Sequence, residues 1–259
     1  MHLTGYPQES LTPRCVVKPG LFTIIPKKGL CANEIPCMEQ AAEVSVLCSP
    51  HIGAGFAFYR AEFKPGTGTT RPWGKEEGIE VFAFVLEGHA KFTCCGEEFD
   101  APRGCYCYAP PAKGMEWTVC GDELCVLLLY RQRYKPLEGV DYPKHCFGDV
   151  RNLEIEPLFD MDNLVRVCML PKDFSMDFQM IIMSFEPGAC HAFAETHMQE
   201  HGMYNIEGRS AYYLGDQWYT TEKDDFVWMG PYCPQAAYQV GKDRYTYLLT
   251  KDCNRDVEV

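Results

Sequence analysis

An internal repeat is the feature that most constrains the fold, because the same short motifs return in the same order about 120 residues later. Phe63–Gly66 (Phe-Lys-Pro-Gly) matches Phe185–Gly188 (Phe-Glu-Pro-Gly) at an offset of 122. Three further landmarks keep an offset of 120: Glu87-Gly88 with Glu207-Gly208, Pro111 with Pro231, and Leu128-Leu129 with Leu248-Leu249. Short matches arise easily by chance one at a time, whereas an ordered series predicts one structural unit that occurs twice.

Both copies are filled by short β-prone runs between Gly and Pro residues. Val81–Leu86, Cys125–Tyr130, Met180–Phe185 and Tyr245–Leu249 are examples. Many short strands separated by turns predict a sandwich or barrel. We expect one short helix, near Glu34–Ala42.

The repeat predicts a division of the 259-residue chain. We expect an N-terminal arm at 1–44, an N-terminal barrel at 45–140 and a C-terminal barrel at 155–259. A Pro- and Gly-containing linker is expected within 134–149. Each barrel is then of ordinary domain size.

Composition narrows the partners and the compartment. The net charge of -12 and the pI near 5.0 disfavour nucleic acid and anionic membranes, which both need a basic face. Met1–Pro13 lacks the basic start and apolar run of a signal peptide. We therefore interpret the fifteen cysteines as reduced thiols, most of them small buried hydrophobes, in a cytoplasmic protein.

The chemistry-bearing residues cluster after the second Pro-Gly turn. Glu195, His197 and His201 have the same parity, so on a β-strand they would point to one face. One carboxylate and two imidazoles on one face predict a divalent metal site. The alternative is a solvated polar strand with one hydrogen-bonded histidine.

A second alternative comes from the segment His197–His201, which spells H-x-x-E-H, the inverted zinc-peptidase motif. It requires a helix, and Ala194–His201 could be helical by propensity. Gly188 and Gly202 bracket that segment, and a strand-like run, Ala211–Leu214, follows it. The context therefore disfavours the peptidase interpretation.

Two motifs resemble those of cupins. The spacing of glycines and ligand-type residues from Gly188 to Gly208 resembles the first cupin motif, with Glu195 where that motif usually has His and His201 where it has Glu. Asp225–Tyr238 resembles the second motif, with Gln235 in the place of its histidine. This Glu/His/His/Gln set is similar to that of the (S)-ureidoglycine aminohydrolase family.

The resemblance runs nearly end to end. Further matching pieces are Gly78–Glu80, Arg133–Gly139, Glu195–Gly202 and Lys251–Val259. It implies an all-β bicupin, that is, two tandem cupin barrels with an N-terminal arm. It also implies release of ammonia from (S)-ureidoglycine to give (S)-ureidoglycolate, in purine and allantoin degradation, and a homo-oligomer such as an octamer.

The resemblance further implies the roles of individual residues. The Mn²⁺ ligands would be Glu195, His197, His201 and Gln235. Catalytic residues would be Glu195, Lys251 and Tyr247, and the substrate would be bound by Glu195, Gln235, Tyr247, Lys251 and Tyr212. Two oxygen donors and two imidazoles suit a harder octahedral ion than structural zinc. Cys233 shares the parity of Gln235 and is a competing donor.

The N-terminal copy should be metal-free and structural. At an offset of 120, the counterparts of the four ligands are Lys75, Glu77, Val81 and Met115, and Val and Met do not bind a hard ion. Two other functions stay open at this point. One is another metal-cupin enzyme, such as a dioxygenase or isomerase, and the other is a non-catalytic small-molecule-binding bicupin.

Overall fold

The computed structural model describes residues 14–257, and this part of the chain is all-β. Its only helices are 3-10 turns at Lys27–Gly29, Pro50–Ile52 and Val150–Asn152. No helix in it is long and apolar enough to cross a bilayer.

From residue 14 onward, the first half contains ten strands. They are β1 Val16–Lys18, β2 Phe22–Ile25, β3 Ala41–Cys48, β4 Phe56–Phe63, β5 Ile79–Glu87, β6 His89–Cys94, β7 Glu97–Pro102, β8 Cys105–Ala109, β9 Met115–Val119 and β10 Cys125–Arg133.

The second half, as far as residue 257, contains ten more. They are β11 Cys146–Asp149, β12 Glu156–Leu158, β13 Met161–Cys168, β14 Phe178–Phe185, β15 His201–Glu207, β16 Arg209–Leu214, β17 Gln217–Glu222, β18 Phe226–Met229, β19 Gln235–Gln239 and β20 Tyr245–Asp252.

The two halves repeat one pairing order, as the predicted bicupin requires. In the first, a six-stranded sheet (β11-β8-β5-β10-β4-β3) faces a three-stranded sheet (β7-β6-β9). In the second, β18-β15-β20-β14-β13 has the same order within an eight-stranded sheet, and β17-β16-β19 is the small sheet. The all-β, duplicated cupin fold is therefore confirmed.

One edge of each large sheet is formed by strands from outside the repeat. β2 in the N-terminal arm pairs with β18 of the second barrel, and β1 pairs with β2. β11, in the segment after the first barrel, pairs with β8 of that barrel. Phe22 and Ile24 are completely buried in the core of the second barrel, so the arm is part of that barrel.

The expected helix near Glu34–Ala42 is wrong. The segment forms turns, and β3 begins at Ala41. Pro36 disfavours helical geometry at the residue before it. Cys37 has a φ of 76°, which ends any right-handed helix at that position.

Apolar side chains form three cores. One fills each barrel, and the third lies between the barrels. In the third, Phe58 and Tyr130 of the first barrel pack with Phe178 and Phe226 of the second. The two large sheets therefore pack against each other, and β15, the strand that begins at His201, is braced from outside by the first barrel.

Candidate functional site

The candidate site lies inside the second barrel, where β15 and β20 run side by side. His201 opens β15 and is directly opposite Lys251 on β20. Tyr247 lies four residues earlier on β20, opposite Asn205. Residues directly opposite each other in a sheet share a face, so the register places His201 and Lys251 on one side. That side is the barrel interior, where Tyr247 is part of the core.

Glu195 and His197 are not on a strand, which corrects the parity argument. The residues from 191 to 200 form loops and bends, apart from an isolated β-bridge between Glu195 and Gln235. In that bridge each backbone N–H donates to the other residue's carbonyl at 2.9 Å. The bridge fixes the loop across the barrel mouth. Because the segment is not helical either, the peptidase interpretation is wrong.

Three of the four candidate ligands come together through their side chains. The Nε2 atoms of His197 and His201 are 3.1 Å apart. Nε2 of Gln235 is also 3.1 Å from Nε2 of His197. The amide oxygen and nitrogen of Gln235 are interchangeable by a flip, so its oxygen can occupy the position nearest to the imidazoles.

Both imidazoles are held in one tautomer. Nδ1 of His197 is 3.0 Å from the carbonyl of Gln199, and Nδ1 of His201 is 3.2 Å from the carbonyl of Thr250. A carbonyl only accepts hydrogen bonds, so each Nδ1 carries the proton. In the neutral rings, both Nε2 lone pairs therefore face each other.

Electrostatics favours these neutral rings. Burial lowers the pKa of His201 far below its usual value, and His197 and Lys251 add to that effect. Burial and the charge of Lys251 also lower the pKa of His197, while Glu195 acts in the opposite direction. Neutral imidazole is the form that binds metals.

The donor geometry fits a divalent cation. Two nitrogens bound at about 2.1 Å and at right angles are about 3 Å apart, which is close to the separation of the two Nε2 atoms. A cation between them would also satisfy two lone pairs that otherwise repel. Between residues 14 and 257, there is no group of three or more His, Cys, Asp or Glu side chains arranged to hold a metal ion. The fit therefore rests on the two imidazoles and the Gln235 amide.

The remaining candidate residues surround these donors. The Glu195 carboxylate is close enough to raise the pKa of Tyr212 and of Tyr247, although burial is the larger cause for both. Tyr212 and Tyr247 lie close enough to influence each other's pKa, and both side chains are buried. Glu195, His197 and Lys251 are only partly buried and so line the accessible side of the site.

Cys233 is buried in the turn before β19. Its Sγ contacts the carbonyl of Pro234 at 3.6 Å, and no contact joins it to the imidazoles. All fifteen cysteines of the chain are free thiols in the structure.

Sequence reasoning gave no role to His191, which packs behind the site. Its ring lies 5.3 Å from Phe185 and 6.5 Å from Tyr212, measured between centroids. Its Nδ1 accepts a hydrogen bond from the backbone N–H of Ala237. Burial lowers its pKa to about 4. Its place in the loop before β15 was visible in the sequence, but its contacts are long-range.

In the first barrel, the counterpart of Glu195 is Trp73, which corrects the alignment to Lys75. The bridge between Trp73 and Met115 repeats the bridge between Glu195 and Gln235. The offset is thus 122 before this loop and 120 after it. Trp73 packs against Trp117 at 6.0 Å between ring centroids, and both are buried. Indoles fill the volume where the second barrel has its polar donors.

Known proteins similar to this chain include three with functional names. The chain is 37% identical to the (S)-ureidoglycine aminohydrolase of Escherichia coli strain K12, over 100% of the chain and 98% of that protein. It is 34% identical to a probable (S)-ureidoglycine aminohydrolase of Oryza sativa, over 81% of the chain and 66% of that protein. The corresponding enzyme of Arabidopsis thaliana is 30% identical over 81% of the chain and 68% of its own length. No protein-family model matches.

Solved structures agree with the fold. The crystal structure of protein Ylba from Escherichia coli superposes with a TM-score of 0.87 at 36% identity, covering 98% of this chain and 100% of the other. A putative glyoxylate-induced protein from Pseudomonas aeruginosa gives 0.86 at 27% identity, with coverages of 98% and 96%. Oxalate decarboxylase from Bacillus subtilis gives 0.71 at 12% identity, with coverages of 94% and 80%, which shows a shared fold alone.

Proposed function

The chain belongs to the (S)-ureidoglycine aminohydrolase family of hydrolases, and on this premise we propose that it converts (S)-ureidoglycine and water into (S)-ureidoglycolate and ammonia with one Mn²⁺ per chain. The observation that carries the proposal is the pair of neutral imidazoles, His197 and His201, with facing Nε2 atoms and the Gln235 amide beside them. Glu195 would complete the ligand set.

The donor set supports a hard ion. Carboxylate and amide oxygens with two imidazoles, and no thiolate, favour Mn²⁺ over structural zinc. When bound, the ion supplies Lewis acidity and a fixed orientation for a chelating substrate. The first barrel presents Trp73, Val81 and Met115 at the corresponding positions, which supports one metal per chain rather than two.

The chain's own residues would orient the substrate. The ammonium of Lys251 is opposite His201 and suits the substrate carboxylate or ureido oxygen. The Tyr247 hydroxyl, near Tyr212, can donate a hydrogen bond to substrate. The partly exposed Glu195 carboxylate would accept a proton from the attacking water and return it to the leaving amine. These fixed groups would select one face of the reacting carbon.

The test is chiral and metal-dependent. We would measure bound metal by elemental analysis and offer freshly generated ureidoglycine to protein with and without Mn²⁺. We expect one Mn²⁺ per chain and (S)-ureidoglycolate in excess of the racemic background only with metal. Bound Mn²⁺ with racemic product would contradict the substrate, and no bound metal would contradict the site.

Assembly and compartment are further parts of the proposal. We propose a cytoplasmic homo-oligomer, without nucleic-acid or membrane partners. Fifteen free thiols support a reducing compartment. Trp218 and Tyr238 are 55% and 45% exposed and lie 5.4 Å apart between centroids, which supports an apolar contact between copies. Light scattering of the purified protein tests this, because a monomeric mass would contradict it.

A further inference from the structure

Glu200, within the H-x-x-E-H segment, has no role in the chemistry derived above. Its side chain points away from the imidazoles and towards the first barrel. Oε1 accepts a hydrogen bond from the backbone N–H of Gly55 at 2.8 Å. Oε2 accepts one from the indole Nε1–H of Trp228 at 2.9 Å, and Trp228 is completely buried. One carboxylate therefore joins the two barrels.

The backbone of Glu200 is tied down as well. Its N–H donates to Oδ1 of Asp252 at 2.7 Å. Glu200 precedes His201, and Asp252 follows Lys251, which is directly opposite His201. The hydrogen bond therefore closes the end of the β15–β20 ladder at the residues that flank the candidate ligand and the candidate substrate cation.

The first barrel fits closely around this point. A Cβ on Gly55 would lie 2.5 Å from Oε1 of Glu200. A Cβ on Gly202, just after His201, would lie 2.7 Å from the ring of Phe56. Both distances are shorter than van der Waals contact, so the segment at Gly55 and Phe56 seats directly on the strand that carries His201.

We propose that Glu200 is a positioning residue, which holds the start of β15 against the first barrel and thereby fixes the His201 imidazole. This inference rests on the metal site of the proposed function. The first barrel, which has no candidate metal ligands, would then brace the second barrel, which contains them. Ligand orientation by outer groups commonly changes metal affinity by about 10- to 100-fold.

The internal repeat supplies a matched control. Glu80, 120 positions before Glu200, also faces the space between the barrels. It accepts hydrogen bonds from Tyr108, the counterpart of Trp228, and from Gln132, the counterpart of Asp252. The residue after Glu80 is Val81, where the second copy has His201. Glu80 therefore occupies the position equivalent to Glu200, but the residue that follows it is not a metal ligand.

The experiment compares Mn²⁺ dissociation constants, read from the electron paramagnetic resonance signal of the free ion during titration, with melting temperatures from the same samples. In Glu200→Gln, the amide N–H₂ faces an N–H donor whichever way it turns. We expect Mn²⁺ binding at least about 10-fold weaker than in the wild type. Adding Trp228→Phe removes one facing donor and should recover part of the affinity.

Glu80→Ala should lower the melting temperature at least as much as Glu200→Gln while changing the dissociation constant less than about 2-fold. Wild-type affinity in Glu200→Gln would overturn the inference, and so would equal weakening in Glu80→Ala, since a general loosening would then explain both. Mn²⁺ binding without ureidoglycine turnover would contradict only the proposed substrate. No Mn²⁺ binding by wild type would contradict the metal site and this inference with it.

Discussion

At the scale of single residues, the candidate metal ligands come from two kinds of backbone, a regular strand and a loop. His201 is on a regular strand, whereas Glu195 and His197 lie in a loop held by backbone bonds to Gln235. The tautomer of each imidazole is set by a carbonyl on the far side of the ring. The two rings are therefore prepared to present lone pairs before any ligand arrives.

Gln235 is the candidate ligand whose removal is most informative. In Gln235→Leu the side-chain volume is nearly kept and the amide donor is lost, so Mn²⁺ content and turnover should fall together, by about 10-fold or more. Gln217→Leu, at an exposed position of β17, is the matched control and should change neither. Elemental analysis and the chiral assay give the two readings. Normal activity in Gln235→Leu would contradict the ligand assignment.

Removing the charge of Lys251 should have different effects on Mn²⁺ binding and on substrate binding. Its charge lowers the pKa of both imidazoles, so the same charge opposes a bound cation. Lys251→Met should therefore leave Mn²⁺ affinity unchanged or tighter, while KM rises by about 10-fold or more because a charged hydrogen bond to substrate is lost. Lys242→Met, in an exposed turn, is the control. Weaker Mn²⁺ binding in Lys251→Met would contradict this electrostatic role.

At the scale of elements, the N-terminal hairpin of β1 and β2 is part of the second barrel. Its pairing with β18 covers an otherwise open sheet edge. Arg14 adds a bidentate ion pair to the buried Asp225, at 2.7 and 2.9 Å. Exposed sheet edges invite unwanted pairing, so the arm protects the barrel that contains the site.

The buried aromatic ring of this hairpin gives a stability prediction. Phe22 is completely buried in the second core, so Phe22→Ala should lower the free energy of unfolding by about 3–5 kcal/mol. Val17→Ala, in the same hairpin but 51% exposed, should change it by less than about 0.5 kcal/mol. Urea denaturation measures both. A small effect at Phe22 would show that the arm is not docked.

At the scale of the whole molecule, two polar anchors cross the space between the barrels with different chemistry. Glu200 meets two N–H donors. Glu80 instead faces another buried carboxylate, Asp177, and Gln132 bonds to both. Burial is the main cause of the strongly raised pKa of Glu80, and Asp177 raises it further. A buried carboxyl pair of this kind is stable when it holds a proton.

The sign of the resulting pH dependence follows from linkage. Below about pH 4.3 Glu80 is protonated in both the folded and the unfolded chain. As the pH rises, Glu80 loses its proton in the unfolded chain first. The free energy of unfolding therefore falls with pH until the pH reaches the folded pKa of Glu80.

Glu80→Gln mimics the protonated form and does not titrate. The difference in free energy of unfolding between Glu80→Gln and the wild type should increase, in favour of the variant, by up to about 1.4 kcal/mol per pH unit across this range. Denaturation at pH 5, 6, 7 and 8 measures the difference between the two proteins. A difference independent of pH would contradict the raised pKa of Glu80.

The duplicated β fold and the candidate donors could be predicted from the sequence because each leaves a local mark. Strand alternation, turn residues and the Pro-Gly and Glu-Gly landmarks are set by neighbouring residues. The types of residue that suit a hard metal are also visible without coordinates. The candidate donors were therefore predictable as residue types, whereas Tyr247 and Lys251 were implied only by the family resemblance. The strand register of β20 with β15 is consistent with that prediction, since it sets Lys251 opposite His201.

Only the tertiary structure decided how these pieces meet. The loop before Val81 is two residues longer than the loop before His201, so the counterpart of Glu195 is Trp73, and the bridge to Met115 reveals it. The barrel that each edge strand joins, and the contact of Glu200 with Gly55, depend on surfaces far apart in the chain. Local patterns determine which segments become strands, whereas long-range burial and hydrogen bonding select their partners.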